Sequence, residues 1–415
     1  MRPPARGVAR LLSGTGLAAV LLLPAAVPAL AAPSLPRVPT ADGEKGQELP
    51  GMPSALDPGD AESGCTPASR ATAKKQDWSR QRLDLDRLHG MSTGAGVTVA
   101  LIDTGAAPDA TGLGGRISAP GAAGDDCVGH GTFLAGLIAG TGGDNPRLAG
   151  VAPEAKILAL RGTEPRGQAS ATLVAEAVRE ATAARADVIA VAVALPLRDA
   201  ELTRAVAEAR KAGAVVVAAA TPDPPRNGTD EIPSRTYWPA GEPGVLSVAD
   251  MLPGGVRPDG ALPTRGIDLV APGAGVVSVG PRGDGHYLGD GASVAAAYAA
   301  GAVAAVRSAY PGEKPEDVVH RLTATAYPAD IPQLDPYAAV TTVLGDSGAA
   351  VAVGRDADPV TVRDTSAADR ATGRAFLFVL LGSAAVLAVL WGGFAFSRAR
   401  LRGWRPAEAG VTARD

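Results

Sequence analysis

The sequence predicts an α/β protein with a doubly wound, mostly parallel sheet, followed by one C-terminal transmembrane helix. Two observations predict the sheet. The sequence contains short runs of consecutive apolar residues, as strands buried on both faces require, and helical patterns separate these runs. The third observation is an uncharged apolar segment over residues 375–397. About 20 apolar residues span a bilayer, so this segment predicts the membrane helix.

The composition is that of a folded protein with irregular additions. Of the 415 residues 46% are hydrophobic, and 35 prolines and 52 glycines indicate long irregular connections. The formal net charge is −4 and only 4% of the residues are aromatic. Nucleic-acid binding needs a basic surface and benefits from stacking side chains, so the composition argues against it.

The first 31 residues have the pattern of a secretory signal peptide. Arg2, Arg6 and Arg10 precede an apolar run over residues 17–30, and Ala-Leu-Ala at 29–31 offers a small-residue cleavage site. The mature chain is expected to begin near residue 32. A signal anchor that stays in the membrane is the alternative interpretation of the same pattern.

Residues 32–76 are predicted to form an irregular N-terminal extension. The stretch up to about residue 69 is rich in proline, glycine and acidic residues and has no apolar period. Such a segment buries too little apolar surface to form a domain of its own.

Residues 77–340 carry the predicted sheet domain. Helical periodicity with charges on one side covers residues 169–185 and 200–212. Repeated strand, helix, strand units imply a doubly wound α/β sheet. The predicted strands are the apolar runs VTVALID, AKILALR, DVIAVAVAL, AVVVAAA, GVLSVAD and IDLVAPG.

A linker over residues 341–374, rich in alanine, glycine and aspartate, is predicted to tether this domain to the membrane helix at 375–397. The tail at 398–415 begins with four closely spaced arginines, Arg398, Arg400, Arg402 and Arg405. Positive charges flank the cytoplasmic side of membrane helices. The tail is therefore expected in the cytoplasm and the large domain outside the cell membrane.

The chain has two cysteines, Cys65 and Cys127, both in the part predicted to be exported. Disulfides persist outside the cytoplasm, so we expect this pair to be bonded. Two free buried thiols are the alternative. A metal site is poorly supported by two cysteines and four histidines.

Three motifs carry the predicted chemistry. VTVALIDTG places Asp103 at the end of a strand, GHGTFLAGLIAG places His130 at the start of a helix, and GDGASVAAAYAAG does the same for Ser293. A serine hydroxyl becomes a nucleophile when a neutral histidine takes its proton and a buried carboxylate orients the imidazole. The three residues are therefore candidates for nucleophile, base and orienting acid.

The order Asp, His, Ser along the chain is that of subtilisin, and from residue 97 to about 310 the sequence resembles subtilases. LAGVAPEAKILALR, YWPA and DLVAPG follow in the order in which subtilases carry such stretches. The resemblance implies a subtilisin-like fold, serine endopeptidase activity and no cofactor. Calcium binding is common in subtilases, but no compact acidic loop stands out in this sequence.

A narrower resemblance is to mycosins, the membrane-anchored subtilases that accompany type VII secretion. It is carried by the signal peptide, a cysteine in the N-terminal extension, Cys127 just before His130 and the C-terminal membrane helix. It implies a protein at the outer side of the cell membrane that processes or escorts secretion components. Many mycosins have a second cysteine pair, which is absent here.

The chain departs from the subtilase pattern at the expected oxyanion hole. In subtilases the strand before the oxyanion hole ends in AAGN, whose Asn amide donates to the oxyanion. Here the apolar run over residues 215–220 is followed by Thr221 and Pro222. Proline offers neither a side-chain donor nor a backbone N–H, which leaves the Ser293 backbone N–H as the expected donor. Asn227 is a candidate replacement, with an ordinary turn residue as the alternative.

Two further stretches differ from the subtilase pattern. The expected substrate-binding strand reads AVAVA at 190–194, and the signature GTSxAAP has become GASVAAA, with Ala292 for Thr and Ala297 for Pro. A substrate can still pair with such a strand through the backbone. His89, His286 and His320 stand apart from any ligand set and are expected to be surface or packing residues.

The function predicted from the sequence is a membrane-anchored, extracytoplasmic serine endopeptidase of mycosin type, with peptide or protein substrates and type VII secretion components as partners. A catalytically impaired pseudoprotease that serves as a scaffold or binding module is the alternative that the Pro222 position keeps open. A hydrolase of small esters is a third reading with nothing specific behind it.

Overall fold

The computed structural model describes residues 48–59, 64–223, 235–258, 261, 266–344 and 366–403. The predicted signal peptide, the candidate Asn227, most of the predicted linker and the predicted tail from residue 404 lie outside these ranges. Of these described residues, those up to Val343 belong to one compact unit and those from Leu344 to a second.

The first unit is built on a seven-stranded parallel sheet in the order β2-β3-β1-β4-β5-β6-β7, and a separate antiparallel hairpin pairs β8 with β9. This confirms the predicted doubly wound α/β fold. The strands are β1 (Thr98–Asp103), β2 (Ile117–Ser118), β3 (Lys156–Arg161), β4 (Val188–Val191), β5 (Val215–Ala219), β6 (Leu246–Met251), β7 (Leu269–Pro272), β8 (Val276–Val279) and β9 (His286–Gly289).

The described residues form nine α-helices, and the last of them belongs to the second unit. They are α1 (Trp78–Arg82), α2 (Leu85–His89), α3 (His130–Ala139), α4 (Ala171–Ala183), α5 (Ala200–Lys211), α6 (Ala292–Ala309), α7 (Pro315–Ala324), α8 (Pro336–Thr341) and α9 (Ser366–Leu401). Short 3₁₀ turns occupy Gly121–Gly124 and Pro146–Leu148.

Alternate side chains of each central strand enter two different cores. In β1, Val99 and Leu101 belong to the core that contains α3 and α6, whereas Ala100 and Ile102 belong to the core under α4 and α5. Burial on both faces is the reason that these strands are continuously apolar.

Helix α6 runs beneath the sheet and is almost entirely buried. Its alanines and Gly301 allow close approach, since a Cβ at Gly301 would lie 2.6 Å from the Val151 Cβ. Deep in this core Tyr298 and Ser79 share a hydrogen bond of 2.6 Å between their hydroxyls. The small side chains of the helix thus bring its first turn, which carries Ser293, close under the sheet.

The described part of the N-terminal extension is irregular and is attached to the sheet domain at several points. Met52 N donates to Leu288 O at 2.6 Å and Leu56 N donates to Arg166 O at 2.8 Å. Cys65 and Cys127 form a disulfide, and Thr66 N donates to Cys127 O at 3.0 Å. The extension is therefore fixed to the loop that precedes His130.

The second unit contains α9, which begins at Ser366 and includes the predicted membrane segment. The helix starts earlier than predicted because residues 366–374 are rich in alanine, a strong helix former. Residues Phe378–Leu401 contain an 18-residue window with a mean hydropathy of 2.1, and no residue of that window is buried. At about 1.5 Å per residue this stretch is long enough to cross the about 30 Å core of a bilayer.

Candidate active site

Asp103 is the last residue of β1, a central strand of the sheet, and is 3% exposed. Strands β3 and β4 flank β1 on its two sides. The carboxyl ends of parallel strands open onto one edge of an α/β sheet, where sites of such folds form. The strand thus delivers a buried carboxylate to that edge.

His130 is the first residue of α3, and the preceding loop is held by a buried carboxylate that the sequence analysis missed. Asp126 accepts hydrogen bonds from Thr104 Oγ1 and Gly129 N on one oxygen, and from Thr132 N and Thr132 Oγ1 on the other. These four bonds fix the start of α3. The signal for Asp126 was its position just before the GHGT motif.

The imidazole of His130 lies between the other two predicted side chains. Nδ1 is 2.5 Å from Asp103 Oδ2, and Nε2 is 3.2 Å from Ser293 Oγ. The close approach needs Gly131, because a Cβ there would lie 1.8 Å from Gly105 O. The structure therefore brings Asp103, His130 and Ser293 into one hydrogen-bonded row.

Ser293 is the second residue of α6 and is fully buried. The first turn of a helix has backbone N–H groups without helical partners and lies at the positive end of the helix dipole. This is the environment expected for a developing oxyanion.

A fourth side chain, Asp223, occupies this environment, and the sequence analysis did not select it. Asp223 Oδ1 accepts a hydrogen bond of 3.0 Å from Ser293 N, and Oδ2 accepts one of 2.6 Å from Ser293 Oγ. Oδ2 is also 3.4 Å from His130 Nε2. The Ser293 N–H that was expected to serve the oxyanion thus binds a carboxylate in this structure.

The residue order explains why Asp223 was missed. Matching AAGN to residues 219–222 puts Pro222 at the position of the expected Asn. Asp223, directly after it, is the residue whose carboxylate reaches Ser293. An acidic residue next to a lost donor was the available signal.

The two carboxylates on either side of His130 govern its protonation. Burial by itself lowers the pKa of the imidazole, but the charge and hydrogen bond of Asp103, with those of Asp223, outweigh it and raise the pKa of His130 well above its usual value. Burial raises the pKa of Asp103, while the imidazole opposes that rise. The resting site thus favours a charged imidazole between two carboxylates.

Part of the predicted substrate-binding strand is unavailable to a substrate. Ala190 and Val191 lie inside β4, which pairs with β1 on one side and β5 on the other. Leu195 exchanges both backbone hydrogen bonds with Trp238. The continuous apolar character of this stretch reflects its place in the sheet, and residues 192–194 are the part that lies outside it.

The remaining histidines lie away from this row. His89 Nε2 is 2.9 Å from Gly150 O, and His286 Nδ1 accepts from Ala73 N at 3.3 Å. Burial lowers the pKa of both, and His320 lies on α7. Within the described ranges, no group of three His, Cys, Asp or Glu side chains is arranged to hold a metal ion.

Comparison with known proteins finds mycosins among the similar sequences. Mycosin-3 of Mycobacterium tuberculosis is 34% identical in a match that covers 60% of this chain and 66% of the relative. Mycosin-1 of the same organism is 31% identical, with 60% and 68% covered. The chain thus spans about two thirds of the length of these curated relatives.

A solved structure, the MycP3 protease from the type VII (ESX-3) secretion system, matches with a TM-score of 0.59 and 30% identity. The match covers 71% of this chain and 98% of that one. The family model of the subtilase family, Peptidase_S8, matches residues 94–368. These residues include all four side chains of the site, and the chain belongs to the subtilase family.

Proposed function

We propose that the protein is a serine endopeptidase of mycosin type. The observation that carries this proposal is the His130 imidazole, which lies within hydrogen-bond reach of Asp103 on one nitrogen and Ser293 on the other. That row is found in a member of the subtilase family. The roles of Asp103, His130 and Ser293 follow from the chemistry of each side chain.

In the proposed reaction Ser293 Oγ attacks the carbonyl carbon of the scissile peptide while His130 Nε2 takes the hydroxyl proton. The buried Asp103 carboxylate orients the imidazole and stabilises its positive charge. His130 then gives the proton to the leaving amine, the C–N bond breaks and an acyl enzyme remains. Water activated by the same imidazole releases the acid product and restores Ser293.

Attachment to the cell membrane, with the peptidase domain outside the cytoplasm, is the second part of the proposal. It is supported by the apolar stretch Phe378–Leu401, in which no residue is buried, and by Arg398, Arg400 and Arg402, which favour a cytoplasmic end. Likeness to a protease of a type VII secretion system supports peptide or protein substrates and partners in such a system.

A second candidate function has an observation of its own. Asp223 binds the Ser293 N–H and hydroxyl, and Pro222 lacks a donor, so the resting site is not arranged to bind an oxyanion. This favours a pseudoprotease that uses the fold as a scaffold. The two functions differ in whether Ser293 becomes acylated.

The test is hydrolysis of a generic peptide by the purified full chain and by two serine variants. Ser293→Ala should lose the activity, because the nucleophile is removed. Ser308→Ala is the matched control: this serine lies on the same helix, and its hydroxyl contacts Ala95 O. Activity that survives Ser293→Ala contradicts the assignment of the nucleophile, and a folded wild type with no activity favours the scaffold.

A further inference from the structure

Asp223 stands where a subtilase-type site is expected to place a neutral donor. Its carboxylate contacts three polar groups of the reaction centre: the Ser293 N–H, the Ser293 hydroxyl and, at 3.4 Å, the His130 imidazole. The side chain is 9% exposed. A buried carboxylate with these partners belongs to the site itself.

The backbone leaves room for this carboxylate. Gly291, the residue before α6, has φ of 121°, and a Cβ built on it would lie 2.0 Å from Asp223 Oδ1. The space that any larger residue would fill is therefore occupied by the Asp223 carboxylate. Glycine at 291 and aspartate at 223 are complementary in shape.

Several charged groups face Asp223 from the neighbouring elements. Asp103 ends β1, His130 begins α3, and Asp250 lies in β6 with Arg257 at 3.5 Å. Burial raises the pKa of Asp250, and the charge of Asp223 adds to the rise. The charge of Asp223 thus acts on Asp103, His130 and Asp250 and raises the pKa of each.

The ionised form of Asp223 opposes acylation in four ways. It accepts the Ser293 O–H, so that proton is directed away from His130. It binds the Ser293 N–H, and it places negative charge where the oxyanion would form. It also helps to hold His130 charged, and a charged imidazole cannot act as a base.

We propose that Asp223, when it carries a proton, is the oxyanion donor of this site, and that its ionised form holds Ser293 and His130 in an unreactive arrangement. This inference rests on the proposed peptidase function and names the residue that controls it. A carboxylic acid has the O–H donor that Pro222 lacks.

In the reactive form the proton stays on Asp223 and is donated as a hydrogen bond to the carbonyl oxygen of the substrate. Ser293 Oγ forms its bond to the carbonyl carbon, and the hydroxyl proton passes to His130 and then to the leaving amine as the C–N bond breaks. Asp223 ends the step still protonated, so the count of protons and electrons balances without another reactant.

One proton shared by His130 and Asp223 has two placements, and only one of them is reactive. A proton on His130 prevents the imidazole from acting as a base. A proton on Asp223 leaves the imidazole neutral and supplies the donor for the oxyanion. A second proton occupies the base, and loss of the shared proton leaves a carboxylate in the oxyanion site. The pH profile of kcat/KM is therefore expected to fall on both sides of a maximum.

The experiment compares kcat/KM for one peptide, from acidic to alkaline pH, in the full chain and three variants. Asp223→Asn keeps the shape and carries a donor that cannot ionise, Asp223→Ala removes charge and donor, and Asp290→Asn is the control. Asp290 is exposed, lies close to Ser293 in sequence and accepts from Gly275 N, which an asparagine oxygen can also do.

At alkaline pH, Asp223→Asn should exceed the wild type and should exceed Asp223→Ala by about 10²–10³, the effect of one oxyanion donor. Its alkaline limb should disappear, and the pKa of His130, followed by NMR, should fall. Asp290→Asn should keep the wild-type profile. A wild type whose kcat/KM rises to a plateau at alkaline pH overturns the inference without any variant.

Two other results overturn the inference while leaving the peptidase function intact. Equal activity of the folded Asn and Ala variants would mean that residue 223 is not a donor. Loss of activity in Asp223→Asn as complete as in Ser293→Ala would make Asp223 a base instead. Failure of the peptidase function itself looks different: wild type and Asp223→Asn, both folded, would show neither hydrolysis nor reaction of Ser293 with a fluorophosphonate.

Discussion

Single residues decide whether the row Asp103, His130 and Ser293 can work, and the sequence revealed most of them. The three side chains could be predicted because the strand end and the two helix starts that carry them are recognisable in short motifs. Asp223 was missed for a physical reason: its role depends on contacts with Ser293, which lies 70 positions away in sequence. Apolar periodicity and motif spacing carry no information about such contacts.

Gly291→Ala tests whether the Asp223 carboxylate occupies the space next to residue 291. The new Cβ would lie 2.0 Å from Asp223 Oδ1 at a φ of 121°, so the carboxylate must move and the backbone is strained by about 1–3 kcal/mol. Thermal unfolding should therefore occur at a lower temperature than in the wild type. Gly275→Ala is the control, since it also has a positive φ but no atom within 4 Å of its Cβ. Equal effects of the two substitutions would contradict the close fit.

The raised pKa of His130 predicts how stability depends on pH. Burial lowers this pKa, but Asp103 and Asp223 raise it by more, so the folded state binds the proton more tightly than the unfolded chain. The resulting stabilisation is complete below the unfolded pKa of about 6.5 and is lost as pH rises through the folded pKa. Denaturant unfolding of wild type and His130→Asn should therefore differ most at acidic pH. A difference that grows with rising pH would contradict the charged resting state.

At the scale of elements, strands buried on both faces were the easiest to predict. All six predicted strands correspond to strands of the sheet, from β1 and β3 to β7. The two-residue β2 and the β8–β9 hairpin were not predicted, because β2 is too short for a pattern and β9 alternates between half-buried and buried residues. The predicted strand DVIAVAVAL, residues 187–195, is too long, because β4 ends at Val191 and apolar character does not mark that end.

The disulfide links two elements that are distant in sequence, the N-terminal extension and the loop before α3. It closes a loop with a sequence separation of 62, and the chain-entropy model gives at most about 4 kcal/mol for a loop of this size. Reduction, or the double change Cys65→Ser and Cys127→Ser, should lower the free energy of unfolding by up to that amount in urea titrations. Two alkylatable thiols in the native, unreduced protein would contradict the pairing.

At the scale of the whole molecule, the chain divides into a sheet unit and a unit with one long apolar helix. The fold and the family could be predicted from sequence because both depend on patterns that persist over many residues. The protonation of the site could not be predicted from the sequence, because it depends on four groups from four separate parts of the chain: Asp103, His130, Asp223 and Asp250.

Membrane attachment is tested by fractionation of cells that express the full chain. The protein should sediment with membranes and resist extraction by high salt, because Phe378–Leu401 is apolar and unburied. A chain that ends at residue 344 keeps every element of the sheet unit and should be found in the soluble fraction. Equal membrane retention of both chains would contradict α9 as the anchor.

The central claim is that Ser293 is an activated nucleophile, and mapping of its covalent adduct tests this most directly. The full chain is treated with a fluorophosphonate, digested and analysed by mass spectrometry, with Ser293→Ala and Ser308→Ala treated in parallel. We predict one adduct, on the peptide that contains Ser293, in the wild type and Ser308→Ala and none in Ser293→Ala. A folded wild type without an adduct on Ser293, or with its adduct on another residue, would contradict the claim.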